Sequence, residues 1–239
     1  MINKQFDTNF EEPQIKYRVN KLLQMTCGKT EEDAYLFVQL ALEQEKNGAK
    51  FWVELDEEQR LKRCLFISPE MLSYAQYFLD IVIVDSTYKR NRFNMVLVNI
   101  LGINNYGKNV MLAFGLINDE TTLTYNWIFN KLKKAWRRDP FNFVSDECAS
   151  ILNGIKNNFN SRQIVCGWHI QKNLISHFSS LSKKDRSLYQ RTISLPFVTN
   201  EVKYQKILSD IQNSQDVSDT QKEYIKKKQR QIISGLNAY

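Results

Sequence analysis

Four consecutive β-branched apolar residues, Ile81-Val82-Ile83-Val84, end abruptly on a carboxylate, Asp85. This short run restricts the fold more than any other stretch. A half-exposed strand alternates apolar and polar side chains, whereas an unbroken apolar run suits a strand covered on both faces at the centre of a sheet. Apolar residues are 43% of the 239, with only 8 Gly and 4 Pro. The chain is therefore rich enough in apolar residues to bury such a strand and is neither collagenous, low-complexity nor wholly disordered.

The residues around this run predict the neighbouring elements. Lys89-Arg90-Asn91-Arg92 reads as a polar turn into a second strand, Phe93–Ile103, and Asn104-Asn105-Tyr106-Gly107 as a hairpin into a third, Val110–Ile117. Thr121 or Thr122 is placed to cap a helix to about Arg137, with Leu123, Trp127, Ile128, Leu132 and Trp136 inward. Phe141–Val144 predicts a fourth strand, Ser145-Asp146 opens a helix, Gln163–Trp168 predicts a fifth strand, and helix resumes at His169. Upstream, residues 13–26, 30–47, 56–66 and 69–78 read as helices, the last opening after Ser68-Pro69. Gly28-Lys29-Thr30 echoes a phosphate loop, but Leu23 stands where that pattern needs Gly.

Short turns make the first three strands an antiparallel meander. The helices that follow must cross over and lay strands four and five parallel to strand one. The expected fold is α/β: a ribonuclease-H-like, mixed five-stranded sheet flanked by helices, with helical N- and C-terminal extensions. The expected divisions are a helical region at 1–78, a catalytic-type domain at 79–180 and a basic helical region at 181–239.

This order brings two acids to one crevice. Asp85 closes strand one and Asp146 closes strand four, and open α/β sheets bind ligands outside the carboxyl ends of parallel strands. Two close carboxylates repel and stay ionised readily beside a cation, and hard oxygen donors suit Mg²⁺ or Mn²⁺. Two such ions about 3.5–4 Å apart serve phosphodiester chemistry. Each acid also has a plainer reading: Asp146 as a helix N-cap, and Asp85 as the partner of a cation such as Lys89.

The same residues resemble a known family. Asp80–Arg92, DIVIVDSTYKRNR, resembles the first-aspartate block of the Mutator-like (MULE) transposase domain, marked by Asp-Ser/Thr-Thr-Tyr-Lys-x-Asn. Phe93–Asp119 is similar to the hairpin that follows and Glu120–Trp136 to the family's Glu-Thr…Trp helix. Ser145–Phe159 resembles the second-aspartate block, Cys166–Asn173 the Cys-x-x-His block, and Leu61–Phe78 the lead-in helices. The resemblance implies a DDE-type transposase that binds two divalent ions, hydrolyses a DNA strand at the element's end and attacks target DNA with the freed 3′ hydroxyl. It makes Asp85 and Asp146 the first two metal-binding, catalytic acids. It makes Cys166 and His169 the Cys-x-x-His pair; two residues do not complete a tetrahedral zinc site, and the reading preferred over zinc is structural packing, or DNA contact by His169 and Trp168. Cys148 and His177 are the nearby candidates to complete one, and their spacing does not recommend them.

The family's third acid is a Glu in a later block. Thr199-Asn200-Glu201 resembles that block superficially but falls where the family has a connecting helix, and Glu223 lies in a strongly basic helix. The expectation is a copy truncated before its third acid, which leaves enzymatic activity open. The alternative is a catalytically inactive, transposase-derived nuclear DNA-binding or regulatory module.

Charge agrees with a DNA partner. Residues 1–159 hold 20 Lys/Arg and 20 Asp/Glu, so the net +7 lies wholly in 160–239, with 13 against 6. A basic segment of this kind suits a polyanion, though Lys222, Lys226, Lys227, Lys228 and Arg230 also fit a solvated helix face. Four scattered Cys and the polar stretch Met1–Glu12 point to a reduced compartment, the nucleus on the family reading. The expected partners are DNA and a second copy of the chain, with neither a membrane nor a small-molecule substrate.

Overall fold

In the computed structural model the residues described are 40–41, 43–58, 60–87 and 94–236. The expected helix 13–26, most of 30–47, the phosphate-loop echo, the turn 89–92 and Lys89 lie outside them; residues 40–41 and 43–46 are helical.

The β-branched run forms an inner strand of a mixed seven-stranded sheet. In chain order the elements are β1 (Lys50–Leu55), β2 (Leu61–Ile67), α1 (Pro69–Tyr77), β3 (Ile81–Thr87), β4 (Val96–Ile103), β5 (Asn109–Ile117), α2 (Thr122–Trp136), β6 (Asn142–Ser145), α3 (Ala149–Asn158), β7 (Arg162–Val165) and α4 (Gly167–His177). There follow α5 (Leu181–Lys184), α6 (Arg186–Ser194), a 3₁₀ turn (Leu195–Phe197), α7 (Glu201–Asn213) and α8 (Asp219–Leu236). The sheet order is β1-β2-β5-β4-β3-β6-β7. The pairs from β1 to β3 are antiparallel, while β3–β6 and β6–β7 are parallel, as the meander and crossovers require.

Two expectations are corrected. The sheet has seven strands, not five, because a hairpin precedes the meander. Residues 56–66, read as helix, instead supply β2 from Leu61, so the region 1–78 is not wholly helical. The physical reason lies in Cys64-Leu65-Phe66-Ile67: Cys64, Leu65 and Ile67 are buried and Phe66 is half-buried, so both faces of this strand are covered. Its charges face β1, where Arg63 opposes Glu54 and binds it through Nη2 at 2.6 Å and Nε at 2.8 Å.

Most of the core lies where β3, β4 and β6 meet α2 and α3. Val82, Val84, Val98, Ile100 and Phe143 pack against Tyr125, Ile128, Phe129, Ile151, Ile155 and Phe159. Helix α2 starts where expected, with Thr121 Oγ1 accepting from the Thr124 N–H at 3.2 Å, and ends at Arg137, a left-handed C-cap with φ 58°. A second, helical core gathers Val165 of β7, Ile170 and Leu174 of α4, and Tyr204, Ile207, Ile211, Ile225 and Ile232 of the later helices. The modest apolar stripe beyond Ser180 is thus the inner face of a helical layer.

Gly154 sets the closeness of α2 and α3. A Cβ there would stand 2.8 Å from Tyr125 Cβ and 2.9 Å from Phe129 Cδ2, closer than carbon atoms pack. Gly154→Ala should therefore destabilise the protein by about 1–3 kcal/mol through overpacking, although Ala is the better helix former. The check is a lower urea midpoint at unchanged m-value. A variant as stable as the parent would refute the close approach.

Candidate metal and nucleic-acid site

The site is built by strand register. Ile81 pairs with Asn142, Val82 with Phe143 and Ile83 with Val144. Two residues beyond the last pair lie Asp85 on β3 and Asp146 immediately after β6. Parallel neighbours run about 4.8 Å apart, and each acid follows the last β3–β6 pair by two residues on its own chain. The next pairing, Ser145 with Val165, brings Cys166 to the same level beside Asp146, and its N–H donates to Ser145 O at 2.7 Å. Strand alternation puts Asp85 on the face of Ile81 and Ile83, opposite the Val82 and Val84 side chains in the core. Strand β3 runs on to Thr87, so Asp85 lies within it and not after it.

His169 reaches back from the first turn of α4. Its Nε2 lies 3.9 Å from Asp85 Oδ1, an ion pair whenever the imidazole is protonated. Its Nδ1 is enclosed and has no hydrogen-bond partner among the described residues. Sequence reasoning named His169 but not this contact, which joins elements far apart in the chain.

Asp146 is held by its own turn. Its Oδ1 accepts the Cys148 N–H at 3.0 Å, and its carbonyl accepts from Ser145 Oγ at 2.9 Å. The reading of Asp146 as N-cap is corrected, since Cys148 occupies that position and makes no side-chain cap; Cys166 likewise heads α4 uncapped by its side chain. Both helices thus begin beside the acids with first-turn amides that no cap side chain satisfies.

The neighbouring acids are engaged elsewhere. Glu147 pairs with Lys228 of α8, and these two side chains are only 20% and 16% exposed. Lys228 is therefore not part of the solvated face to which its neighbours Lys226 and Lys227 belong. Glu120 accepts from Tyr125 Oη at 2.8 Å, and Tyr125 Oη lies 2.9 Å from Ser86 Oγ, next to Asp85. Burial raises the Tyr125 phenol far above its ordinary range, so it stays protonated and ties the end of β3 to α2. Partial burial acts to raise Asp119, but hydrogen bonds from Thr124 and Thr121 and the nearby Arg63 bring it below the ordinary carboxylate value.

Among the candidates for a third acid, Glu201 accepts from Gln205 at 2.7 Å, Asp210 pairs with Arg191, and Glu223 stands 3.9 Å from Lys227. Among the described residues no group of three or more His, Cys, Asp or Glu is placed to hold a metal ion. His177 stacks on Tyr224 at 3.8 Å, and its Nδ1 lies 3.0 Å from Asn173 O. Among the described residues no helix is long and apolar enough to cross a membrane.

The Lys228–Glu147 pair gives a clean test of how the helical layer supports the acid loop. Lys228→Ala should cost about 2 kcal/mol, the scale of a charge-assisted hydrogen bond whose partner is left without it. Adding Glu147→Gln should return much of that loss, read as a coupling in a double-mutant cycle of urea unfolding. Additive effects would show that the pair does not join the two parts.

A family model, the MULE transposase domain, matches residues 81–173, a span holding Asp85, Asp146, Cys166 and His169. Protein FAR1-RELATED SEQUENCE 6 of Arabidopsis thaliana is 25% identical over 136 residues, 56% of this chain and 19% of its own length. Protein FAR1-RELATED SEQUENCE 5 of the same plant is 28% identical over 122 residues, 50% of this chain and 16% of its own. PKS-NRPS hybrid synthetase cheA of Chaetomium globosum is 32% identical over 111 residues, 44% of this chain and 2% of its own. The chain thus spans less than a fifth of the length of each of these relatives.

Proposed function

From the premise that residues 81–173 are a MULE transposase-like domain, we propose that the chain is the DNA-processing part of a transposase, working in the nucleus on a ribonuclease-H-like sheet. The observation that supports this reading is the parallel β3–β6 register, whose last pair, Ile83 with Val144, lies two residues before Asp85 on one chain and Asp146 on the other. Two oxygen-donor carboxylates at matched positions fit a hard divalent ion such as Mg²⁺ or Mn²⁺. When bound, such ions would supply Lewis acidity to a phosphodiester and to the attacking water or 3′ hydroxyl.

The chain's own residues supply position and charge. Asp85 and Asp146 would be the ligands; the Cys148 N–H fixes one oxygen of Asp146, and the Tyr125–Ser86 bond holds the end of β3. His169 stands against Asp85 as a group that offsets its charge when protonated. Exposed Lys226 and Lys227 on α8 add nonspecific attraction for the DNA backbone.

A second reading, a DNA-binding or regulatory module without strand cleavage, is favoured by one observation: no third carboxylate joins the pair among the described residues. The two readings part on one measurement. Mn²⁺-dependent nicking of DNA carrying the element's ends should be lost by about 100-fold or more in Asp85→Asn, since a metal's charge stabilisation is worth several kcal/mol and each 1.36 kcal/mol is tenfold. Absence of nicking with DNA binding intact would favour the regulatory module, and nicking that survives Asp85→Asn would remove Asp85 from the mechanism.

Salt dependence tests the basic face separately. Lys226→Ala with Lys227→Ala should lower the slope of log K against log salt by about 1 to 2, near 0.9 for each phosphate no longer neutralised. A slope unchanged by the pair would move DNA binding to another surface.

A further inference from the structure

Large aromatic side chains normally pack inward, and Trp136 is buried while Trp52 and Trp127 pack against the main core. Trp168 does not follow this rule. It is 57% exposed on the first turn of α4, one residue before His169. The His169 ring meets it edge-on at 4.8 Å and 80°, and the same imidazole lies 3.9 Å from Asp85. A single side chain therefore separates the exposed indole from the first acid.

Its surroundings have a particular chemistry. Lys172, one turn along α4, holds its ammonium over the indole, 5.3 Å from the ring centroid. Phe197, 55% exposed, lies against Gly167, where a Cβ would come within 3.2 Å of Phe197 Cε1. The helix beneath is rigidly seated, with Ile170 and Leu174 buried in the helical core. Exposed aromatic surface, a fixed scaffold and an adjacent cation therefore meet beside the acid pair.

We propose that Trp168, Phe197 and Lys172 form a platform for an unpaired base of DNA, so that the strand presented to Asp85 and Asp146 is locally single-stranded. The inference rests on the DNA-processing reading above and names the form of DNA that the site takes. Every base offers a flat face to an indole, and the phosphate beside it offers a partner to the Lys172 ammonium. An apolar protein segment on the same surface would bury that ammonium without a counter-charge, which is costly. Two aspartates alone repel a phosphate, so a cation and a stacking surface next to them draw the strand in without depending on backbone charge alone.

The test compares two DNAs of equal length, a full duplex and one with a short unpaired stretch carrying 2-aminopurine, bound to the whole chain in EDTA so that no strand is cut. Trp168→Leu should bind the unpaired DNA about 5- to 150-fold more weakly, the range of base–aromatic stacking, while leaving duplex affinity nearly unchanged. Trp168→Phe should keep most of the affinity, and the quenching of 2-aminopurine seen with the parent should vanish in Trp168→Leu. Thermal melts confirm that the exposed position tolerates the change. Equal weakening on both DNAs, or none on either, would overturn the platform while leaving DNA binding in place. So would intact DNA binding with altered sedimentation, which would make the surface a protein contact. Failure of the parent to bind even duplex at low salt would instead overturn the DNA reading itself.

Discussion

Parallel pairing between β3 and β6 is the constraint on which the rest of this structure depends. Each strand reaches the sheet by a different route, β3 after α1 and β6 after the long helix α2, yet three residue pairs lock their relative height. In a strand, a slip of one residue turns every side chain to the other face. Here it would take Val82, Val84 and Phe143 out of the core and turn Asp85 toward α2. The energy that holds the two acids level therefore comes from the apolar side chains on the opposite face. Gly154, which lets α3 close onto Tyr125 and Phe129, serves the same end at a distance.

Among the described residues the two acids have few partners of their own. Asp146 has its turn and Asp85 has His169, while the acids nearest in sequence are drawn away, Glu147 to α8 and Glu120 to Tyr125. That division leaves one carboxylate on an inner strand and the other directly after one, with Glu147 paired to a cation and Glu120 hydrogen-bonded to a phenol.

What the sequence revealed followed the range of each interaction. The β-branched run of β3, the caps of α1 and α2 and the alternation of strands and helices from 81 to 177 were legible because their signals are local. So was the placement of Asp146 directly after its strand, whereas Asp85 reads as closing a strand that runs on to Thr87. The β1–β2 hairpin was not legible. Glu54, Asp56, Glu57, Glu58, Arg60, Lys62 and Arg63 mimic the polar face of a helix, and only the cross-strand pairing of Arg63 with Glu54 shows otherwise. Lys228 read as a surface charge for a similar reason, as its partner Glu147 lies 81 residues earlier. The contact of His169 with Asp85 and the exposure of Trp168 both depend on where α4 lands, which no local pattern encodes.

Helix α8 has a consequence beyond its charge. It packs into a core that shares no side chain with the one beneath the sheet, yet its Lys228 grips the residue next to Asp146. Separate cores open with separate free energies. The turn bearing the second acid is thus tethered to both bodies, and a disturbance that lifts the terminal helix is felt at that turn as well as at β7, whose Val165 shares its core. Whatever engages the far surface of α8 holds a mechanical handle on the acid pair.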